Sequence, residues 1–377
     1  MSAGLVQLDP RVRSKKKMKP GRECLIQKCH RHFDIKKVGD SSHLSFFQMA
    51  GAFEVQKFNE IKTIEYLWNF LTKILEINRK KVWITAFKKD RIAGQEISLS
   101  SKLEDYLEEL ASGRLIYGQK ETNLWSQGGG AKLVDNLRLC GPQVEFFYDL
   151  GRDKGCGRKN CGPFCDCGRF REISNTLFIK YAIDYSGENP RLVEIVNPST
   201  ESVIGIERVT QIAEQKDDLF KISHFWPLVE TINRGLNEEV KIIVDHMKSL
   251  CLILGEKKIK PGKRDRRRII RTLIRQMLTS FYVLKVDAQK LIPQLIDQVV
   301  DMYEEDYPAV RSCKKRTLEI ISFGEEKYQK TLEKGRRIIR RFLEKKGRNK
   351  LLEKEKEFFW KQFGVPKKIL ESLLAVR

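Results

Sequence analysis

Acidic side chains are in short supply in this chain of 377 residues: 50 Asp+Glu stand against 72 Lys+Arg, a formal net charge of +22. An excess of that size favours a polyanion or an anionic surface as partner. No stretch of 18 or more apolar residues occurs, which excludes a membrane-spanning helix. The N-terminus carries basic residues but neither an apolar core nor a cleavage signature, which excludes a secretory signal. Internal repeats and low-complexity tracts are missing as well. Gly128–Gly129–Gly130 precedes no lysine and opens no evident helix, so it is not read as a phosphate loop. Without an export signal disulfides are not expected, and Cys24, Cys29, Cys140, Cys251 and Cys313 are scattered singly, as in a reducing compartment. A cytoplasmic location is expected, with no membrane partner, and nucleic acid is the polyanion that fits it.

What the chain does have is a knot of sulfur. Cys156, Cys161, Cys165 and Cys167 fall within twelve residues. Glycines in the first two intervals let the backbone turn tightly enough to aim several thiols at one centre. Four thiolates about 2.3 Å from one ion make a closed tetrahedral zinc site, which holds a loop without supplying chemistry. The alternative is a set of reduced, unpaired thiols, and the two-residue spacing of Cys165 and Cys167 is tighter than the usual metal knuckle. Leu177–Phe178–Ile179, just after the cluster, reads as a buried strand.

Residues 11–22 hold seven Lys or Arg and no acid, a solvated loop or a phosphate contact. Cys24 to Arg31 alternates apolar and polar side chains, and Leu44 to Met49 is a second apolar run. Together they read as an antiparallel hairpin with Arg31 at its lip and Phe46–Phe47 on the return. Such a hairpin can offer an arginine to a phosphate and a ring to a base. Val144 to Tyr148 reads as a strand carrying Glu145, and Ser202 to Arg208 as a strand running into a helix. From about Val240 strands disappear, and Val240 to Leu254 is expected as an amphipathic helix ended by Gly255. Glu256 to Arg275 has ten basic residues against two acidic, and Lys334 to Lys350 nine against one. Two basic helical faces in one half, with Lys263, Arg267, Arg268 and Arg271 on the first and Arg337 and Arg340 on the second, predict backbone contact to RNA. A boundary near residue 237 divides a domain of residues 1–237 from a helical one of residues 238–377.

Several of these stretches carry a resemblance. CHRHFDIKKVGDSSHLSFFQMAG resembles the second class motif of the alanyl-tRNA synthetase family, whose pattern is close to CIRxNDIDxVGxxxHLTFFEMLGN. CGPQVEFFYD is similar to its CGPxxEMFYD loop. CGRFREISNTLFIKY is similar to the CGxxxEIWNxVFMxY that follows a comparable cysteine loop in archaeal members. SVIGIER resembles the third class motif, TGMGLER. The resemblance implies an α+β fold, a class II antiparallel sheet with flanking helices followed by a helical tRNA-recognition domain. It implies activation of an amino acid, alanine in that family, with ATP and transfer to tRNA. By the same likeness Arg31 would hold the α-phosphate and Arg208 the γ-phosphate, with magnesium accompanying the ATP. Phe46 or Phe47 would stack on adenine, and Glu145 would line the ATP site.

The departures from the pattern are specific. SAGLVQL at residues 2–8 resembles only the tail of the first motif, so a second chain supplying that motif is one expectation. Ser174 stands where the family has the tryptophan that walls the alanine pocket, while Asn175 beside it is kept. Glu201 replaces an aspartate that holds the substrate ammonium. Val203 replaces the first glycine of TGMG, Gln48 a glutamate and Ala52 an asparagine. Lys263 falls where the family reads the acceptor stem with asparagine. These changes leave room for a catalytically degenerate relative that binds tRNA or another structured RNA.

Overall fold

A computed structural model describes residues 12–127, 136–256 and 259–375. The SAGLVQL stretch and Gly128–Gly129–Gly130 lie outside the described residues. The chain forms two compact units, one of Phe47–Ile222 with the described residues up to Cys29, the other of His30–Phe46 with the chain from Ser223 onward.

The first unit is built on β1 (Gly21–His30), β2 (Phe46–Val55), α1 (Glu60–Asn69), β3 (Val82–Phe87), β4 (Lys89–Ile92), β5 (Gln95–Ser98) and α2 (Ser101–Ala111). It continues through β6 (Leu115–Gly118), α3 (Lys120–Asn123), β7 (Leu124–Ser126), β8 (Leu137–Asp149), β9 (Phe170–Asp184), β10 (Arg191–Gly205) and α4 (Ile206–Ala213). One large sheet has the order β1-β2-β10-β9-β8-β3-β6, with β7 paired to β8, and β4 and β5 make a separate ribbon. From β2 through β3 the neighbours run antiparallel, and β6 lies parallel to its partner β3. The fold is thus α+β, a large and mostly antiparallel sheet with flanking helices and a helical C-terminal region.

Register fixes the two faces of this sheet, because directly paired residues share a face and successive residues alternate. Ile204, Ser174, Phe146 and Ile84 form one row. Phe146 and Ile84 pack with Ile64 and Leu67 of α1 and Leu103 and Leu107 of α2, the apolar stripes of those helices. The next row, Gly51, Val203, Asn175, Glu145 and Thr85, belongs to the opposite face. Between Cys140 and Gln143 the register of β8 against β9 slips by one residue. Gly141 sits in that slip, where a Cβ would meet the Phe178 carbonyl oxygen at 1.8 Å. Only glycine fits there.

The second unit contains α5 (Trp226–Ile232), α6 (Glu238–Glu256), α7 (Asp265–Leu284), α8 (Ala288–Tyr303), α9 (Ala309–Ser312), α10 (Lys314–Lys345), α11 (Glu353–Phe363) and α12 (Leu370–Ala375). The amphipathic helix expected at Val240 to Leu254 is instead buried around its whole circumference from Val240 to Leu252. Lys241, Asp245, His246, Lys248 and Ser249 are all inside. Gly255 does not end it, and the helix runs on to Glu256. A helix with polar residues on every side stays buried only when each of those groups finds a partner. Residues 30–46 supply partners to Asp245, Lys248 and Ser249, and Gln276 of α7 one to His246.

Candidate active site and metal centre

On the face bearing Val203, Asn175, Glu145 and Thr85, Glu145 lies near Glu172 and Arg208. Gln143 Nε2 donates to Glu145 Oε1 at 3.0 Å, and the Thr85 hydroxyl to Oε2 at 3.0 Å. Asn123 Nδ2 braces that hydroxyl at 2.9 Å. Next to it, Asn175 Nδ2 donates to Glu172 Oε1 at 3.3 Å, and Arg208 Nη1 donates to Glu172 Oε2 and to the Glu172 carbonyl, each at 3.0 Å. Asn175 Oδ1 is buried and has no hydrogen-bond partner among the described residues. Arg208 comes from the first turn of α4, directly after β10. Glu207, buried beside it, accepts from the Gln48 backbone N–H at 3.1 and 3.0 Å, which fixes α4 against β2.

Burial, reinforced by the neighbouring Glu172 carboxylate and opposed by the Thr85 hydroxyl and Arg208, pushes the Glu145 carboxyl up to about 8. The folded protein therefore keeps a proton that the unfolded chain releases near the ordinary 4.5. The stability this supplies is complete below the unfolded value and is lost as pH rises through about 8. Glu145→Gln keeps the shape and cannot ionise. It is expected to flatten urea stability against pH between about 5 and 8 by on the order of 1–2 kcal/mol. An unchanged slope would show that Glu145 does not titrate there.

The structure brings Glu145, Asn175 and Arg208 together, the last through Glu172. Glu201 lies on the same face as Val203, two residues away, and is 1% exposed. Ser174 is buried too, but it belongs to the helix-covered row with Phe146 and Ile204, and its hydroxyl donates to the Val203 carbonyl at 2.7 Å. The two phenylalanines separate in the same way. Phe47 shares a face with Gly51 and Val203, whereas Phe46 is 3% exposed in the second unit, with Lys248 Nζ 5.6 Å from its ring centre. Arg31 also lies in the second unit, where Asp34 faces it at 3.6 Å and its guanidinium lies 5.4 Å from the Phe33 ring centre. Val203 is buried, and a Cβ on Gly51 would come within 3.1 Å of its Cγ1. The Phe53 ring, at 2.7 Å, and the Val203 side chain together fill the space above Gly51. Thr85, Asn123, Gln143 and Glu172 were not singled out from sequence, although Glu172 stands two residues before Ser174 in the REIS stretch.

The four cysteine sulfurs lie within 4.8 Å of one another, with Cys156–Cys165 and Cys161–Cys167 each at 3.6 Å. Ligands about 2.3 Å from one ion sit roughly 3.8 Å apart in a tetrahedron, so the donor set and its spacing fit zinc. Burial works to raise the Cys167 thiol, but the Arg169 backbone N–H and the Cys161 and Cys165 thiols outweigh it and bring it down to about 7. Arg169 forms a bidentate pair with Asp149, one arm at 2.7 Å, and so joins the cysteine loop to the end of β8.

In the second unit, Lys263 is exposed just before α7, Arg267, Arg268 and Arg271 are exposed in its first two turns, Arg337 is exposed on α10 and Arg340 is half-buried beside it. The two basic stretches meet at one turn. Arg275, one helical turn beyond Arg271, donates to the Gly364 carbonyl, and Gly335 packs so closely on Val365 that a Cβ would meet its Cγ2 at 2.3 Å.

The family model described as tRNA synthetases class II (A) matches residues 1–377, the entire chain. The chain belongs to the class II tRNA synthetase family. Among the members it resembles is the alanine–tRNA ligase of Thermoanaerobacter sp. (strain X514), 27% identical over 388 residues, which cover 99% of this chain and 42% of that protein. The alanine–tRNA ligase of Alkaliphilus metalliredigens is 29% identical over 334 residues, 86% of this chain and 36% of the relative. This class II chain thus spans less than half the length of the curated relatives it matches. A solved apo histidyl-tRNA synthetase from S. aureus aligns over 58% of this chain and 57% of its own at 10% identity, with a TM-score of 0.28, too low to bear on the fold.

Proposed function

We propose that the chain binds ATP and tRNA and activates an amino acid as its adenylate before transfer to the tRNA 3′ end. The observation that carries this reading is the open hydrogen-bond acceptor on Asn175, buried beside Arg208, Glu172 and Glu145 on one sheet face. A buried acceptor left unpaired costs about 1–3 kcal/mol, and a ligand donor such as an ammonium would recover it. In the proposed reaction the amino-acid carboxylate attacks the α-phosphorus and pyrophosphate departs. The tRNA hydroxyl then attacks the acyl carbon and AMP leaves. Arg31 faces the α-phosphate and Arg208 the γ-phosphate, neutralising charge as it moves onto pyrophosphate, with magnesium accompanying the ATP. Both bonds that Arg208 gives to Glu172 come from Nη1, so Nε and Nη2 are not used by them. Phe47 takes the adenine and Glu201 the substrate ammonium.

The test is amino-acid-dependent exchange of labelled pyrophosphate into ATP, screened over all amino acids. Exchange with one of them, abolished in Arg208→Ala, is the expected result. Val203 above Gly51 favours a second reading, a degenerate paralogue that retains RNA binding alone. Protein that binds tRNA but shows no exchange with any amino acid would establish that reading.

The cysteine loop is proposed to hold one structural zinc through Cys156, Cys161, Cys165 and Cys167. Bound there, the ion would fix the loop between β8 and β9 and take no part in the reaction. Elemental analysis of protein purified without chelator is expected to give about one equivalent, and Cys161→Ser to lose it. Less than half an equivalent in the unaltered protein would leave the reduced-thiol alternative.

A further inference from the structure

Within the second unit a hydrogen-bonded chain runs from the basic helix to the loop that carries Arg31. Gln276 of α7 places Oε1 2.8 Å from His246 Nε2. His246 Nδ1 faces Asp245 Oδ2 at 2.9 Å. Asp245 accepts the Ser45 backbone N–H at 2.9 Å and also the Ser45 hydroxyl. The Ser45 carbonyl accepts the Arg31 backbone N–H at 2.9 Å. Beside this chain, Lys248 Nζ donates to the Phe46 carbonyl at 2.7 Å. The far side of the same loop rests on α6, where a Cβ on Gly39 would meet Glu238 Cγ at 2.6 Å.

Ser45, Asp245 and His246 are fully buried. Removing so many polar groups from water costs energy that an apolar contact would not, and such a network is retained where it defines one arrangement of its members. Gln276 and Arg271 share one rigid helix, so a shift of α7 under a bound polyanion moves the end of the network directly.

We infer that Asp245, His246 and Gln276 are positioning residues that couple RNA seated on α7 to the loop bearing Arg31. This rests on the proposed binding of ATP and tRNA. Two linked sites change each other's affinity by the same factor. The dissociation constant for ATP–Mg would be measured with and without saturating unfractionated tRNA. A difference of about fivefold or more is expected in the unaltered protein. Gln276→Met has the same length, lacks the oxygen and lies outside the deep core. It is expected to bring the ratio to within about twofold while each ligand alone binds as before. Gln276→Glu, which keeps an oxygen for His246, should retain the coupling. Amide exchange across residues 30–46 gives a second readout that needs no ATP: tRNA should slow it in the unaltered protein and not in Gln276→Met. Equal coupling in the Met variant, or ATP and tRNA both bound with no coupling, overturns the inference alone. Failure to bind ATP or tRNA at all overturns the functional reading and takes the inference with it.

Discussion

Exchanging Arg267, Arg268, Arg271 and Arg337 for glutamate is expected to weaken tRNA binding roughly a thousandfold at about 0.1 M salt. Each phosphate contact contributes about 0.9 to the slope of log affinity against log salt, so four lost contacts remove most of that slope and most of the affinity. The like charges introduced push the same way. The four arginines are exposed on two helices that both contact the Gly364–Val365 turn, so the variant loses charge without losing core. Binding measured by filter retention at several salt concentrations separates the outcomes. An unchanged slope would place the RNA elsewhere on the molecule.

Asp245→Ala is expected to lower stability toward urea by about 3–5 kcal/mol. Burial alone would raise the Asp245 carboxyl, but His246, Lys248 and the Ser45 hydroxyl outweigh it and hold it below the ordinary range. It is the acceptor for three donor groups, and its loss takes the acceptor from the Ser45 backbone N–H, the Ser45 hydroxyl and His246, and a nearby negative charge from the buried Lys248. Leaving a buried charge uncompensated costs far more than the pair itself contributes. A loss under about 1 kcal/mol would mean that water enters the site and takes the role of the carboxylate.

The two neighbouring strands on either side of the loop that carries Arg31 could be read from alternation and apolar runs, and the cysteine cluster from spacing, because both are local patterns. What could not be read depends on partners far away in sequence. Alternation says that Phe46 and Phe47 point to opposite faces but not which face is open. Lys248, some two hundred residues on, decides it. Ser174 and Asn175 divide in the same manner, and only the pairing with Phe146 shows that Ser174 turns to the helix-covered side. The polar surroundings of Glu145 come from Thr85, Asn123 and Glu172, on other elements, which no spacing rule connects. Helix α6 misled the amphipathic reading because Asp245, Lys248 and Ser249 are matched by the 30–46 loop, and His246 by Gln276, rather than by solvent.

That loop also determines how the molecule can be divided. The backbone passes between the two units at 29/30, at 46/47 and again at 222/223. A single cut releases neither of them. A fragment that starts at Ser223 would leave the Ser45 groups that donate to Asp245, and the Phe46 carbonyl that accepts from Lys248, behind on the other piece. The helical unit is therefore not one contiguous segment but a C-terminal stretch joined by seventeen residues, 30–46, from the N-terminal part.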